Sequence, residues 1–282
     1  MLLGGAVALN ASAALAAPLP VVRVGVIVID DAAEAYFGSD MGIFKKRGLD
    51  VEITRFTNGA AIAAAVATGA LDVGFSNLVS VANAIGKGVP LTILAPAALH
   101  LSDASTSALL VSKDSPFTTA KSLDGKTIAV NGLKNITQLS AQAWIDEHGG
   151  DSTSVKFIEM PMPQMPVALR EKRIDAAVAS LSIDPTVGSA AAQERVLGDA
   201  YDGIAQRYLV TAYFSSKDWV AKNPVVARNF ALAMRETAVW ANANHEKSAL
   251  ILAKYSKMPI DLIRHVTRAT YAEILDPKLI QP

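Results

Sequence analysis

The stretch Ser105–Ser115, STSALLVSKDS, decides how the rest of the chain is read. Before it, short β-branched runs alternate with helical patterns. Within it the alternation stops and the chain reads as one long extended segment. After it the alternation restarts. A second extended run, Arg207–Ser216, RYLVTAYFSS, closes the restarted section. Two α/β units separated by two long strands are the layout of a protein whose chain crosses twice between two lobes.

Toward the N-terminus, VVRVGVIVI (21–29), VEITRF (51–56), LDVGF (71–75) and PLTILAP (90–96) read as strands. Between them, AEAYFGSDMGIFKKRG (33–48), GAAIAAAVATG (59–69) and NLVSVANAIGKG (77–88) read as helices. Gly48 stops the first and Asn58 caps the second. This succession gives a mostly parallel sheet with helices on both faces. Beyond residue 115, KTIAV (126–130), SVKFIEM (154–160) and IDAAVAS (174–180) are strands. NITQLSAQAWIDEHGG (135–150) and MPVALREKR (165–173) are helices. After the second extended run, residues 223–256 and 260–275 read as helical cover. The expected division is 1–17 apart from the fold, 18–106 with 213–282 as lobe 1, and 107–212 as lobe 2.

The opening segment MLLGGAVALNASAALAAPLP is apolar and small-residue-rich, and carries the A-x-A pattern Ala14-Leu15-Ala16. It reads as part of a secretory signal peptide, cleaved to leave a periplasmic protein. Its positive start is expected upstream. No cysteine follows, which excludes a lipid anchor. The chain has 282 residues, 51% hydrophobic and 18% charged, with zero net charge. That composition supports a buried core and gives no basic excess for nucleic acid or an anionic membrane. The absence of cysteine removes disulfides, thiolate metal sites and thiol nucleophiles.

In open α/β sheets, ligands sit beyond the carboxyl ends of the strands. Reading off those ends selects Asp30, Asp31, Asn58, Ser76 and Asn77 in the first unit. In the second it selects Asn131, Asn135, Thr137, the loop Glu159–Met165, Ser180 and Asp184. The elements GALDVGFSN (69–77) and KRIDAAVAS (172–180) match in form: Asp, a small-residue strand, then serine. The loop EMPMPQM is stiffened by proline and offers polarizable thioethers, Met162 among them. Pro166 suits the first turn of the helix that follows. Asn135 can cap its helix and leave amides at the helix start for an anion or a carbonyl oxygen; an ordinary cap accounts for the same residues.

Familiar catalytic patterns are missing. Gly125-Lys126-Thr127 precedes a strand and has Ala120 where a phosphate loop needs glycine. GFSNL has Leu78 where a nucleophile elbow needs its second glycine. His100, His148, His245 and His265 lack partners at local metal-ligand spacing. No catalytic residue, metal or cofactor is expected.

The motifs GIFKKRGLDVEI, GALDVGFSN, SLDGKTIAV, KFIEMPMPQMPVALREKRIDAAVAS and NPVVARNFALAMRETAVWANAN, taken in order, resemble the solute-binding proteins of ABC importers. The similar branch is the nitrate/sulfonate/taurine and thiamine-pyrimidine-precursor group, over residues 21–282. The resemblance implies a type II periplasmic-binding-protein fold, with two α/β lobes and two hinge strands. It implies a monomer that captures a small molecule and delivers it to permease and ATPase subunits. It places the ligand among Asp30, Asp31, Ser76, Asn77, Asn135, Thr137, Met162 and Asp184. Where many relatives have Trp-Glu-Pro, this chain has Ile183-Asp184-Pro185, without the aromatic wall. No arginine or lysine stands in the candidate set, and Lys134 is the nearest cation. Relatives also continue with a further helical segment, so the C-terminus is expected to be clipped. The alternatives are an enzyme of the same fold, the pyrimidine synthase of thiamine biosynthesis, and a ligand-sensing domain. The first uses a cysteine-rich motif, and this chain has no cysteine.

Overall fold

The computed structural model describes residues 18–181 and 192–280. Its strands form two five-stranded sheets and a small third one. The first sheet contains β1 (Val21–Ile27), β2 (Asp50–Phe56), β3 (Val73–Asn77), β4 (Leu91–Pro96) and β12 (Thr211–Ser216). Its order is β2-β1-β3-β12-β4. β1 runs parallel to β2 and β3, and β12 is inserted antiparallel between β3 and β4. The second sheet contains β6 (Ser107–Ser112), β7 (Thr127–Val130), β8 (Lys156–Glu159), β9 (Ala176–Ser180) and β10 (Glu194–Gly198), in the order β10-β6-β9-β7-β8. Here β6 is the inserted antiparallel strand. The two sheets thus share one topology, and each inserted strand adjoins a crossing between the units.

The crossings themselves make the third sheet. β5 (Ala98–Leu101) pairs antiparallel with β11 (Arg207–Leu209) and with β13 (Thr270–Tyr271). The run 207–216 is therefore two strands in two sheets, parted at Val210. The segment 260–275 departs from the helical expectation: α10 covers only Ile260–Ile263, and the chain then extends into β13. Val266, Thr267 and Thr270 are β-branched and disfavour helix, and Arg268 is held by a buried aspartate described below. The helix expected over 33–48 is broken into α1 (Glu34–Asp40) and α2 (Ile43–Lys46) by Gly42, whose φ is +66°. Short β10 carries little apolar pattern and was not expected at all.

Helix α8 (Pro224–Ala243) shows why the C-terminal segment returns to the first sheet. Ala227, Phe230, Met234, Thr237 and Ala241 recur at three- and four-residue spacing and are buried. The Phe230 ring stacks on Phe44 at 5.6 Å and meets Tyr213 of β12 edge-on at 6.0 Å. Burying one such aromatic contributes about 1.5–3 kcal/mol. Helices α3 (Gly59–Ala67) and α4 (Leu78–Gly86) cover other parts of the first sheet, and α5 (Ile136–Glu147) and α6 (Met165–Arg170) cover the second. Gly74 of β3 lets α3 approach closely: a Cβ there would lie 2.6 Å from Ile62 and 2.7 Å from Phe214. No described helix is long and apolar enough to cross a membrane.

Candidate functional site

The carboxyl edges of the two sheets face one another across a cavity of about 340 Å³. One wall is the end of β1 and β2: Ile27, Val28, Ile29, Phe56 and Thr57. The other is the loop Pro161–Gln164 after β8. Met162, buried to 6% exposure, belongs to this wall. Pro161 holds φ at −56°, and Met162–Gln164 form one tight turn before α6. A rigid loop thus presents an apolar surface to the end of the opposite sheet.

Helix starts cluster on the same side of the first sheet. Asn58 Oδ1 accepts from the Ala61 amide, and Asn77 Oδ1 from the Ser80 amide, each at 2.9 Å. Both asparagines therefore act as caps. Ser76 Oγ is buried with no hydrogen-bond partner, and Gly59 closes over it: a Cβ at Gly59 would sit 1.9 Å from that oxygen. Only glycine fits at the first turn of α3, and Ser76 lies under it rather than on the cavity wall.

Facing them, the start of α5 carries a buried polar network. Asn135 Oδ1 accepts from the amides of Thr137 at 3.0 Å and Gln138 at 3.4 Å. Asn135 Nδ2 donates to Asn131 Oδ1 at 2.7 Å, and Thr137 Oγ1 lies 2.7 Å from Asn135 Oδ1. The network is satisfied internally. Thr137 is 1% exposed. Just before it, Lys134 adopts a left-handed φ of +58°, and its carbonyl accepts from Asn83 Nδ2 of α4 at 2.8 Å. That bond joins the two units directly. Leu133 and Lys134 there close a second cavity of about 320 Å³ against the alanine face of α3 and the flank of α4.

Asp30 has its partners far along the chain. It is fully buried, and its carboxylate accepts from Arg268 Nε at 2.8 Å, Arg268 Nη2 at 2.9 Å and the Ala269 amide at 2.7 Å. Tyr271 Oη donates to its carbonyl at 2.7 Å. Asp30 thus anchors the C-terminal segment, and its charge is matched by a guanidinium. Its neighbour Asp31 accepts from Thr106 Oγ1 at 3.1 Å, where the chain enters β6. Burial, and then the adjacent Asp30 charge, push the Asp31 carboxyl up to about 7. Ser180 ends β9 opposite Ser107 and is buried. Asp184 lies outside the described residues.

One residue escaped the sequence reading. Glu34, at the start of α1, is fully buried, and neither carboxylate oxygen has a hydrogen-bond partner. Burial drives its carboxyl well above the usual glutamate range. A signal was present: the acid is flanked by Ala32, Ala33, Ala35, Tyr36 and Phe37, so no face of that turn is polar enough for solvent.

Similar proteins agree with this layout. A protein of Brucella abortus (strain 2308) described as a binding protein is 26% identical over 253 residues, covering 88% of this chain and 75% of that protein. The alkanesulfonate-binding protein SsuA from Xanthomonas axonopodis pv. citri, bound to MOPS, superposes with a TM-score of 0.76. It is 17% identical and is matched over 94% of this chain and 90% of its own. The periplasmic nitrate-binding protein NrtA from Synechocystis PCC 6803 gives 0.72 at 18% identity, over 86% of this chain and 69% of its own. These likenesses establish a two-lobe periplasmic-binding-protein fold of type II. The family model described as NMT1/THI5 like matches residues 29–248, and the chain belongs to that family.

Proposed function

We propose that the protein is the extracytoplasmic solute-binding component of an ABC importer. It captures a small organic molecule between its lobes and delivers it, unaltered, to membrane permease and ATPase subunits. The lobes are residues 18–106 with 213–282, and residues 107–212. The return of β12 to the first sheet from Thr211 supports placing the second crossing there. The observation that carries the reading is the cavity between Ile27–Ile29 with Phe56 and Thr57 on one side and Pro161–Gln164 on the other. It lies at the carboxyl ends of both sheets, where open α/β sheets bind ligands.

The wall has a chemical bias. Its side chains are aliphatic, aromatic, thioether and proline, with Thr57 and Gln164 for hydrogen bonding, and none is basic. A nitrate ion would find no counter-charge in it. A molecule with an apolar or aromatic body and one or two polar groups suits it better. The relatives that bind alkanesulfonate or nitrate therefore point to the manner of capture more than to the ligand.

The test is a thermal-shift screen of sulfonates, aromatic acids, pyrimidines and amines, with native mass spectrometry of protein purified without denaturation. An aromatic or heterocyclic compound is expected to raise the melting temperature in proportion to the logarithm of its concentration. Absence of any shift across all four classes, with no bound molecule in the spectrum, would remove the binding reading. Recovery of a chemically changed compound after long incubation would favour an enzyme of this fold.

A further inference from the structure

Histidines were judged above by local spacing, and none had a partner. Folding changes this for His100. We propose that His100, Asp199 and Asp202 form a site for a divalent transition cation of the Zn²⁺ type, where the two crossing segments meet.

His100 lies on β5, and the two aspartates belong to the segment leading into β11. They are about a hundred residues apart in sequence and adjacent in space. His100 Nε2 is 2.8 Å from Asp202 Oδ1 and 4.0 Å from Asp199 Oδ2. One ligand atom from each residue lies within 4.8 Å of the others. Tetrahedral Zn²⁺ with bonds of 2.0–2.1 Å needs ligand atoms about 3.4 Å apart. Shifts of about 0.6 Å on the two histidine edges, and at most about 1.4 Å on the third, bring all three to that spacing.

The individual groups are suited to the task. Asp199 Oδ1 accepts from the Tyr201 amide at 3.0 Å, which fixes the carboxylate. Its Oδ2 is buried without a hydrogen-bond partner and faces the imidazole. Ser102 Oγ donates to Asp202 Oδ1 and so orients that carboxylate. The His100 ring is 2% exposed and held by packing against Tyr208 at 5.3 Å and Tyr201 at 5.7 Å. The aspartate side chains retain 20% and 37% exposure, so solvent reaches the cluster from one side and can complete the coordination. Two carboxylates and one neutral imidazole carry a charge of about −2, matching the cation. An imidazole ligand disfavours Ca²⁺ and Mg²⁺, which take oxygen.

Binding replaces the hydrogen bond between His100 Nε2 and Asp202 with two bonds to the metal. The imidazole stays neutral because, as Nε2 gives up its proton, Nδ1, which has no hydrogen-bond partner, takes one up by exchange with solvent. The metal would tie β5 to the segment that leads into β11.

The experiment is calorimetric titration of the full chain with ZnCl₂ after dialysis against a chelator. The expected result is one saturable site per chain, with no matching heat from CaCl₂. Asp199→Asn keeps the shape and the Oδ1 cap while weakening the ligand; His100→Gln removes the imidazole. Each is expected to weaken Zn²⁺ at least tenfold, with circular dichroism confirming the fold. Absence of a saturable site in the wild type, or unchanged affinity in either variant, overturns the proposal.

Discussion

The two large sheets have one strand order, yet they spend the polar residues at their carboxyl edges differently. At the edge of the first sheet, Asp30 holds Arg268, Asp31 holds Thr106, and Asn58 and Asn77 cap helices. The two aspartates tie distant parts of the chain together, and the two asparagines act within their own helix starts. At the edge of the second sheet, Asn131, Asn135 and Thr137 satisfy one another locally, and a proline-stiffened loop is left to face the cavity. A polar residue at a carboxyl edge is therefore ambiguous. In the lobe built from both ends of the chain it is drawn into holding those ends. In the lobe built from one continuous stretch it is satisfied by its neighbours, and the proline loop shapes the opening.

The strongest way to break this contrast is Arg268→Ala. It leaves the Asp30 carboxylate buried without its cation, which costs about 3–5 kcal/mol. Urea unfolding should show that loss, whereas a cost below about 1 kcal/mol would mean that the tail is held by other contacts.

A second variant separates wall from anchor. Thr57 is exposed on the cavity wall. Thr57→Trp should fill much of the space and weaken the ligand identified in the screen by tenfold or more, about 1.4 kcal/mol. The melting temperature of the unliganded protein should hardly move. Unchanged affinity would place the ligand elsewhere between the lobes.

Third, the buried acids of the first lobe should give it an acid-favoured stability. The Glu34 carboxyl is raised above its ordinary value of 4.5, so the folded state holds a proton that the unfolded state releases. Its contribution is complete below pH 4.5 and is lost as pH rises from there toward the folded value. The slope is up to about 1.4 kcal/mol per pH unit. Asp31 adds the same sign between 3.8 and about 7. In Glu34→Gln the slope should shrink to the share of the other raised carboxyls, Asp31 and Asp199, as read from urea midpoints at pH 4.5, 5.5 and 6.5. An identical slope in wild type and variant would refute the buried-acid account.

The smallest effect compares like with like at the two edges. Asn135→Ala removes a cap to two amides and a link to Asn131, and should cost about 1–2 kcal/mol; Asn58→Ala removes one exposed cap bond and should cost about 0.5–1 kcal/mol. Equal costs would mean that the buried network adds nothing beyond capping.

Much of this was visible in the residues. The alternation of strands and helices on either side of STSALLVSKDS gave the two units, because parallel sheets read as short apolar runs. The Pro-Met loop was legible because its place after a strand is enough to put it at the carboxyl edge. Asp30 was placed by the same rule, but its anchoring role was not legible, since its partner Arg268 lies 238 residues away. The strand at Thr270–Tyr271 was hidden for a related reason: its partner, β5, is remote in the chain. Glu34 does not stand at a strand end, and its clue was an unbroken apolar neighbourhood.

The insertion of β12 between β3 and β4 also has a consequence for the order of assembly. All five strands of the second sheet fall between residues 107 and 198, so that sheet can be completed by continuous chain. The first cannot. Its third and fourth strands never pair with each other and wait for a ribbon more than a hundred residues further on. Until Thr211–Ser216 has been synthesised and delivered, β3 and β4 each present an open edge, the kind of surface that chaperones shield. The later lobe in the chain is thus the one able to mature first, and the lobe that begins the chain is the last to close.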